Sequence, residues 1–216
     1  MIPDDVRIGR LVPGPWLNAV LVGTTLVDAG VRWSWGPLSR FLSGHEVSEH
    51  LVSHAHGDHT GASARLCTTH RIPLLMGRRD AEAFTAGRID THGWAAVRLL
   101  ARALDPPRHP VDRPLAEGDV VGPGFEVLEV PGHSPGTIAL WRERDRTLVT
   151  GDGPVNVSAD PRRPRFLRLP SGLDHDPAVA RASRRRLGEL GARTIVAVHG
   201  NVVTDAGAWR AAVEAG

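Results

Sequence analysis

No lysine occurs in the 216 residues, so every one of the 26 basic side chains is arginine, and tyrosine is absent as well. Against 24 acidic residues the formal net charge is only +2, too little for a broad phosphate-binding surface, so no nucleic-acid partner is expected. Cys67 is the single cysteine, which excludes an internal disulfide and fits a reducing compartment. No apolar run approaches the ~20 residues of a membrane span. The first five residues, MIPDD, are acidic where a secretory leader would be basic, and no apolar stretch follows them. These absences lead to the expectation of a soluble, cytoplasmic protein with no membrane partner. A G-x-S-x-G elbow is also missing, which removes the usual serine nucleophile. No linker, composition shift or internal repeat divides the chain, and at 41% hydrophobic it can bury a full core, so one domain over 1–216 is expected.

What is present is concentrated between Ser53 and Gly61. The run His54-Ala55-His56-Gly57-Asp58-His59 packs three histidines and an aspartate into six positions. Before it, residues 50–53 read as a short buried strand, and after it residues 61–68 read as the opening of a helix. The polar residues therefore occupy a strand-to-helix turn, where side chains face the crevice at the carboxyl end of a sheet. A lone H-x-H would read as a surface turn, with Asp58 as a helix cap. Four such residues at this spacing point instead to metal binding, since neutral imidazoles and carboxylates suit zinc and neighbouring divalent ions. His54 and His56 can converge on one ion, and Asp58 and His59 can turn toward a second.

The rest of the chain alternates strand and helix. Residues 18–22 and 25–27 form an expected hairpin, its second strand ending at Asp28-Ala29-Gly30. Residues 32–43 carry Trp33, Trp35 and Phe41 without clean periodicity; they are expected to cover one end of the core, the alternative being a place at the mouth of the site. A strand is expected at 72–76 and helices at 79–86 and 91–104, the latter from Trp94, Val97, Leu100 and Leu104 at three- and four-residue intervals. His70, His92 and His109 read as surface or loop histidines. Strands follow at 124–130, 137–141 and 147–150, and the turn Pro131-Gly132-His133-Ser134-Pro135-Gly136 between the first two holds its histidine rigidly. After Thr150 comes Gly151-Asp152-Gly153, a generic turn by itself. The arginine-rich stretch 162–168 reads as a solvated face, with contact to an anionic substrate tail as the alternative. Asp176-Pro177 starts a helix that Gly191 stops, and a last strand, 194–198, delivers His199-Gly200.

Taken together, H-x-H-x-D-H, P-G-H-S-P-G, T-G-D and the terminal H-G resemble the metallo-β-lactamase-fold hydrolases, and among them the glyoxalase II-like branch, over roughly residues 18–201. The resemblance implies an α/β fold, a four-layer αββα sandwich with the metal site at the edge between two sheets. It implies that His133 completes a first site with His54 and His56, that His199 completes a second with Asp58 and His59, and that Asp152 bridges them. Asp28 is implied to lie beneath the cluster as a hydrogen-bond partner of ligands. The cofactors implied are two divalent metal ions, zinc foremost, with iron or manganese accepted by the same donors. Two such ions about 3.5–4 Å apart share a water and acidify it. The implied reaction is therefore attack of a metal-bridging hydroxide, oriented by Asp58, on an activated acyl bond.

The substrate expected from the resemblance is a small acyl compound, foremost a thioester. Two departures bear on it: the few residues after His199 leave out the helical domain with which full-length glyoxalase II enzymes bind glutathione, and Val198 stands where a glycine usually precedes the last histidine. A lactonase or esterase of the same fold is the alternative. A β-lactamase is disfavoured by the missing leader and by the presence of Asp152, a nuclease by the charge and the P-G-H-S-P-G turn, and a mono-iron persulfide dioxygenase by the complete second ligand set. A sensor that keeps the fold without catalysis is disfavoured by the same completeness.

Overall fold

The computed structural model describes residues 2–87, 104, 107–167 and 171–215. Two mixed sheets carry the fold. The first has the order β1 (Val6–Arg10), β2 (Asn18–Val22), β3 (Thr25–Val27), β4 (Glu49–Val52), β5 (Leu74–Gly77) and β6 (Arg113–Leu115). Its first three strands pair antiparallel, and β3 to β6 pair parallel. The second runs β13 (Thr194–Ala197), β10 (Thr147–Thr150), β9 (Ile138–Arg142), β8 (Phe125–Glu129) and β7 (Val120–Val121), antiparallel except for β10 with β13. A short ribbon, β11 (Val155–Asn156) with β12 (Phe166–Leu167), stands apart.

Successive strand side chains point to opposite faces, and that period sorts the core into layers. In β9, Ile138 and Leu140 face the interior between the sheets, while Ala139 and Trp141 face outward to helices; Val149 and Leu148 of β10 divide the same way. From the first sheet, Val20, Leu51 and Leu75 meet them in the inter-sheet core, and Leu21, Val52 and Met76 turn to the opposite side. There α1 (Trp35–Leu42), α3 (Ser63–His70) and α4 (Arg78–Thr85) cover the sheet with Leu38, Leu66, Cys67 and Phe84. On the far side α5 (Pro177–Glu189) and α6 (Ala206–Glu214) contribute Leu187, Trp209 and Val213. The layers are therefore helix, sheet, sheet, helix, the αββα sandwich. Strands buried on both faces are apolar almost throughout, as β2 illustrates with four apolar residues after Asn18.

The expected hairpin, the strand at 147–150 and the capped helix after Asp176 stand where the sequence put them. The Asp176 side chain accepts hydrogen bonds from the Ala178 and Val179 amides, with Pro177 in the first turn. Residues 61–68 differ: a short helix, α2 (Gly57–Thr60), precedes α3, because the turn itself coils once before Gly61. Strand β1 and helices α1 and α6 were not anticipated. In α1 a proline in the first turn and a buried pair only four apart, Leu38 and Leu42, give too little periodicity to stand out. The expected helix at 91–104 falls, except for Leu104, outside the described residues, as does His92. Among the described residues no helix is long and apolar enough to cross a membrane.

Candidate metal centre

Every donor singled out in the sequence lies at the carboxyl end of a strand. His54, His56, Asp58 and His59 occupy the turn from β4 into α2, His133 the turn after β8, Asp152 the turn after β10 and His199 the turn after β13. Because β4 and β10 end on the same edge of the sandwich, the turns converge although their residues are far apart in sequence. Gly151 permits the closest approach: a Cβ there would lie 2.5 Å from Ser53 Oγ, so only glycine brings Asp152 this close to the His54 turn.

Among the described residues three donor groups result. His54 Nε2 lies 2.9 Å from His56 Nδ1, which lies 3.0 Å from His133 Nε2. Asp58, His59 and His199 form another group, with His199 Nε2 3.2 Å from His59 Nε2 and 3.5 Å from Asp58 Oδ2. Asp152 stands between them, one oxygen 3.0 Å from His133 Nε2 and the other 3.0 Å from His59 Nε2 and 3.2 Å from His199 Nε2. His54, His59 and Asp152 compose the third group. The structure thus brings together all seven residues proposed as ligands.

The rings are aimed by the bonds on their outer sides. Asp28 is buried with a left-handed backbone, φ 58°, and sits under the cluster. Its carboxylate accepts from the Ser53 amide and hydroxyl, each at 2.8 Å, and from His59 Nδ1–H at 2.7 Å. His54 Nδ1–H donates to Ser53 Oγ at 3.2 Å, His133 Nδ1–H donates to Asp174 at 3.1 Å, and His199 Nδ1–H donates to the Trp16 carbonyl. With those protons assigned outward, Nε2 of these four rings faces inward, as ligation requires, while His56 turns its Nδ1 inward. Asp174 is itself held by both terminal nitrogens of Arg184, at 2.6 and 2.9 Å.

Without a cation the charges of the cluster balance one another. Burial, aided by the neighbouring imidazoles, holds His54 well below the ordinary histidine range and His56 down at about 4. Burial also opposes a charge on His133 and His199, but the Asp152 carboxylate beside each outweighs it, raising them to about 9 and about 10. For His59 burial is outweighed by Asp28 and then Asp58. Asp58 and Asp152 fall below the usual carboxylate range despite burial, the first through His59 and His199 and the second through His133 and His199. The neutral His54 and His56 turn lone pairs toward each other at 2.9 Å, and a cation among the groups would take the place of the protons that His133 and His199 share with Asp152. Nitrogens on one tetrahedral zinc lie about 3.3 Å apart, so the donor set fits a divalent ion.

The side chains expected outside the cluster lie outside it. Trp35 packs against the core under the Arg65 guanidinium, as expected of a cover, whereas Trp33 is 60% exposed with Arg32 over its ring. Arg162, Arg163 and Arg165 are exposed, Arg168 lies outside the described residues, His70 is exposed and His109 half-buried. Cys67 is buried in α3, and burial pushes its thiol up to about 12. Three residues hydrogen-bonded to the donor rings or to their turns, Ser53, Asp80 and Asp174, carried no sequence signal beyond the adjacency of Ser53 to His54; their partners are supplied by distant turns.

The profile of the Metallo-beta-lactamase superfamily matches residues 18–199. A probable metallo-hydrolase, YflN, of Bacillus subtilis is 28% identical over 154 residues, covering 62% of this chain and 57% of the relative. A hydroxyacylglutathione hydrolase of Halorhodospira halophila is 31% identical over 149 residues, covering 63% of this chain and 45% of the relative. The chain spans about half the length of the curated relatives it matches. Among solved structures, TTHA1623 in a di-iron-bound form is 30% identical, covering 91% of this chain and 93% of that one, with a TM-score of 0.65. The family protein TTHA1429 of Thermus thermophilus, at 23% identity, covers 100% of this chain and 79% of that one with a TM-score of 0.67, a likeness of fold.

Proposed function

The chain belongs to the metallo-β-lactamase superfamily, and on that premise we propose that it is a hydrolase that holds two divalent cations and cleaves an activated acyl bond, foremost a thioester. The observation that carries this reading is Asp152, which presents one oxygen to His133 and the other to His59 and His199. A carboxylate so placed can hold two cations at a fixed spacing. His54, His56 and His133 would hold one and Asp58, His59 and His199 the other. Zinc is the first choice for such donors, with iron or manganese as alternatives; the di-iron neighbour lends iron support.

Once bound, the two cations would supply Lewis acidity for the substrate carbonyl and acidify a water toward neutral pH. The chain's own residues do the remainder. Asp58 is about one-third exposed, 34%, at the open side of the cluster, where its carboxylate can orient the attacking water and receive its proton. Asp28 and Asp174 hold His59 and His133 in one tautomer throughout. Hydrolysis of a thioester then adds oxygen and one proton of water to the acyl group, giving the acid, and the other proton to sulfur, giving the thiol.

The test is hydrolysis of S-lactoylglutathione by the zinc-loaded protein, followed as loss of thioester absorbance, with Asp58→Ala beside it. Saturable turnover that depends on Asp58 is the expected result. No turnover with both cations bound would overturn the thioester assignment and leave lactones and other esters as the acyl substrates.

A further inference from the structure

His54 and His56 sit on the turn after β4, and His133, 77 positions beyond His56, on the turn after β8 in the other sheet. Between the two turns lies Asp80, in the first turn of α4 and only 3% exposed. One carboxylate oxygen accepts from the Ala55 amide at 2.9 Å and from the Ser134 hydroxyl at 2.6 Å. The other accepts from the Gly136 amide at 2.6 Å. Ala55 stands between two ligands and Ser134 follows the third, so one side chain ties the backbones of both ligand turns together. These partners are neutral donors. Ser134 is fixed further by Thr137, whose hydroxyl lies 2.8 Å from its own and accepts its amide at 3.0 Å. The turn and the helix are in direct contact, since a Cβ on Gly136 would lie 2.3 Å from the Asp80 amide nitrogen.

We propose that Asp80 is a positioning residue: its carboxylate sets the separation of the two ligand turns and thereby the affinity of the His54, His56 and His133 site for its cation, without touching cation or substrate. This rests on the metal-binding reading above. Ligand donors must be held within about half an ångström of productive geometry, and groups that orient ligands typically govern about ten- to a hundred-fold in metal affinity. Asp80→Asn keeps the size of the side chain and an acceptor for Gly136. It turns an NH₂ toward the Ala55 amide, donor against donor, and so parts the turns. Ser134→Ala removes a single bond and should act on the same site more weakly.

The experiment is a cobalt(II) titration of the metal-free full-length protein, read by d–d absorption with a competing chelator to set affinities. Wild type is expected to take up two ions. Asp80→Asn should lose about ten- to a hundred-fold in affinity at one site and none at the other. In a His199→Ala background, where the three-histidine site remains to titrate, the same loss should appear. Equal affinities in Asp80→Asn and wild type, or an equal loss at both sites as from general loosening of the fold, overturn the inference. If Asp80→Asn does not fold, Ser134→Ala decides, and wild-type affinity there overturns it. A wild type that takes up no cobalt overturns the metal reading and this inference with it, whereas a two-cobalt wild type beside an unchanged Asp80→Asn overturns this inference alone.

Discussion

Four of the five donor histidines, His54, His59, His133 and His199, have Nδ1 tied outward and Nε2 turned inward, two of them by carboxylates, Asp28 and Asp174. Asp58 faces only the His59 and His199 side, while Asp152 faces both sides. Asp58→Ala should therefore lose one cation and most hydrolysis, and Asp152→Ala should weaken both sites, with the fold retained in each. Elemental analysis beside circular dichroism checks this, and wild-type hydrolysis in either variant would sink the two-cation reading. His50 gives a prediction that does not involve the metal. It is buried, its Nδ1–H donates to the Leu26 carbonyl at 3.0 Å, and its Nε2 accepts from Ser63 at 2.8 Å. Burial lowers its pKa from 6.5 to about 4. Between those values the unfolded chain binds a proton that the native state refuses. Stability from this residue is thus complete above pH 6.5 and falls, by roughly 3 kcal/mol, as pH drops toward 4. Urea unfolding across that range should show a shallower decline for His50→Gln than for wild type; identical slopes would refute it.

At the scale of elements, helix α5 supports the His133 turn. Gly132 adopts φ 122°, and a Cβ there would lie 2.1 Å from the Ala180 amide nitrogen, so the helix start and the ligand turn touch backbone to backbone. The Asp176 amide also donates to the Gly132 carbonyl at 2.8 Å. Asp176→Ala should cost about 1 kcal/mol by removing the cap, seen as a lower urea midpoint at unchanged slope. A midpoint equal to wild type would show that Pro177 and packing alone start the helix. This cap was legible in the sequence, because an Asp-Pro pair before a helical pattern is a local signal. Strand β1 was not: its pairing with β2 residues 18–22 is supplied by tertiary contact, and its own burial alternates only weakly.

For the molecule as a whole, the donors come from turns of both sheets, so a bound cation ties the sandwich together along one edge. Chelation should lower the melting temperature, and titrating metal back should raise it progressively, since a ligand at about 1,000 times its Kd adds roughly 4 kcal/mol. A melting temperature indifferent to metal would refute coupling between site and fold. Opposite that edge the sandwich has a fixed ionic tie. Arg142 of β9 is 2% exposed, holds Asp5 at 2.6 and 2.9 Å and Asp145 at 2.6 Å, and lies 4.3 Å over the Phe125 ring. Arg142→Ala should cost about 1–3 kcal/mol by removing the charged hydrogen bonds to Asp145 and Asp5, the latter keeping Arg144 at 3.2 Å, and by uncovering Phe125, measured as a fall in denaturant midpoint.

The His54 to His59 run was identifiable from the residues themselves, because donor spacing is written locally; His133, Asp152 and His199 came from the resemblance of their turns to the metallo-β-lactamase-fold hydrolases, since each alone reads as an ordinary turn. Short apolar runs bounded by turn residues likewise made the central strands of both sheets readable, since those strands are buried on both faces. Only the tertiary structure decided which carboxylates stand behind the ligands. Asp28, beside a D-x-G signal, was expected; Asp80 and Asp174 were not, because a buried acid looks like any other until distant amides, hydroxyls and an arginine are brought to it. The same holds for Arg142, an unremarked charge in the sequence and a buried tie in the fold. Local pattern specifies elements and donors, whereas the hydrogen bonds that aim those donors span tens of residues and exist only once the two sheets have packed.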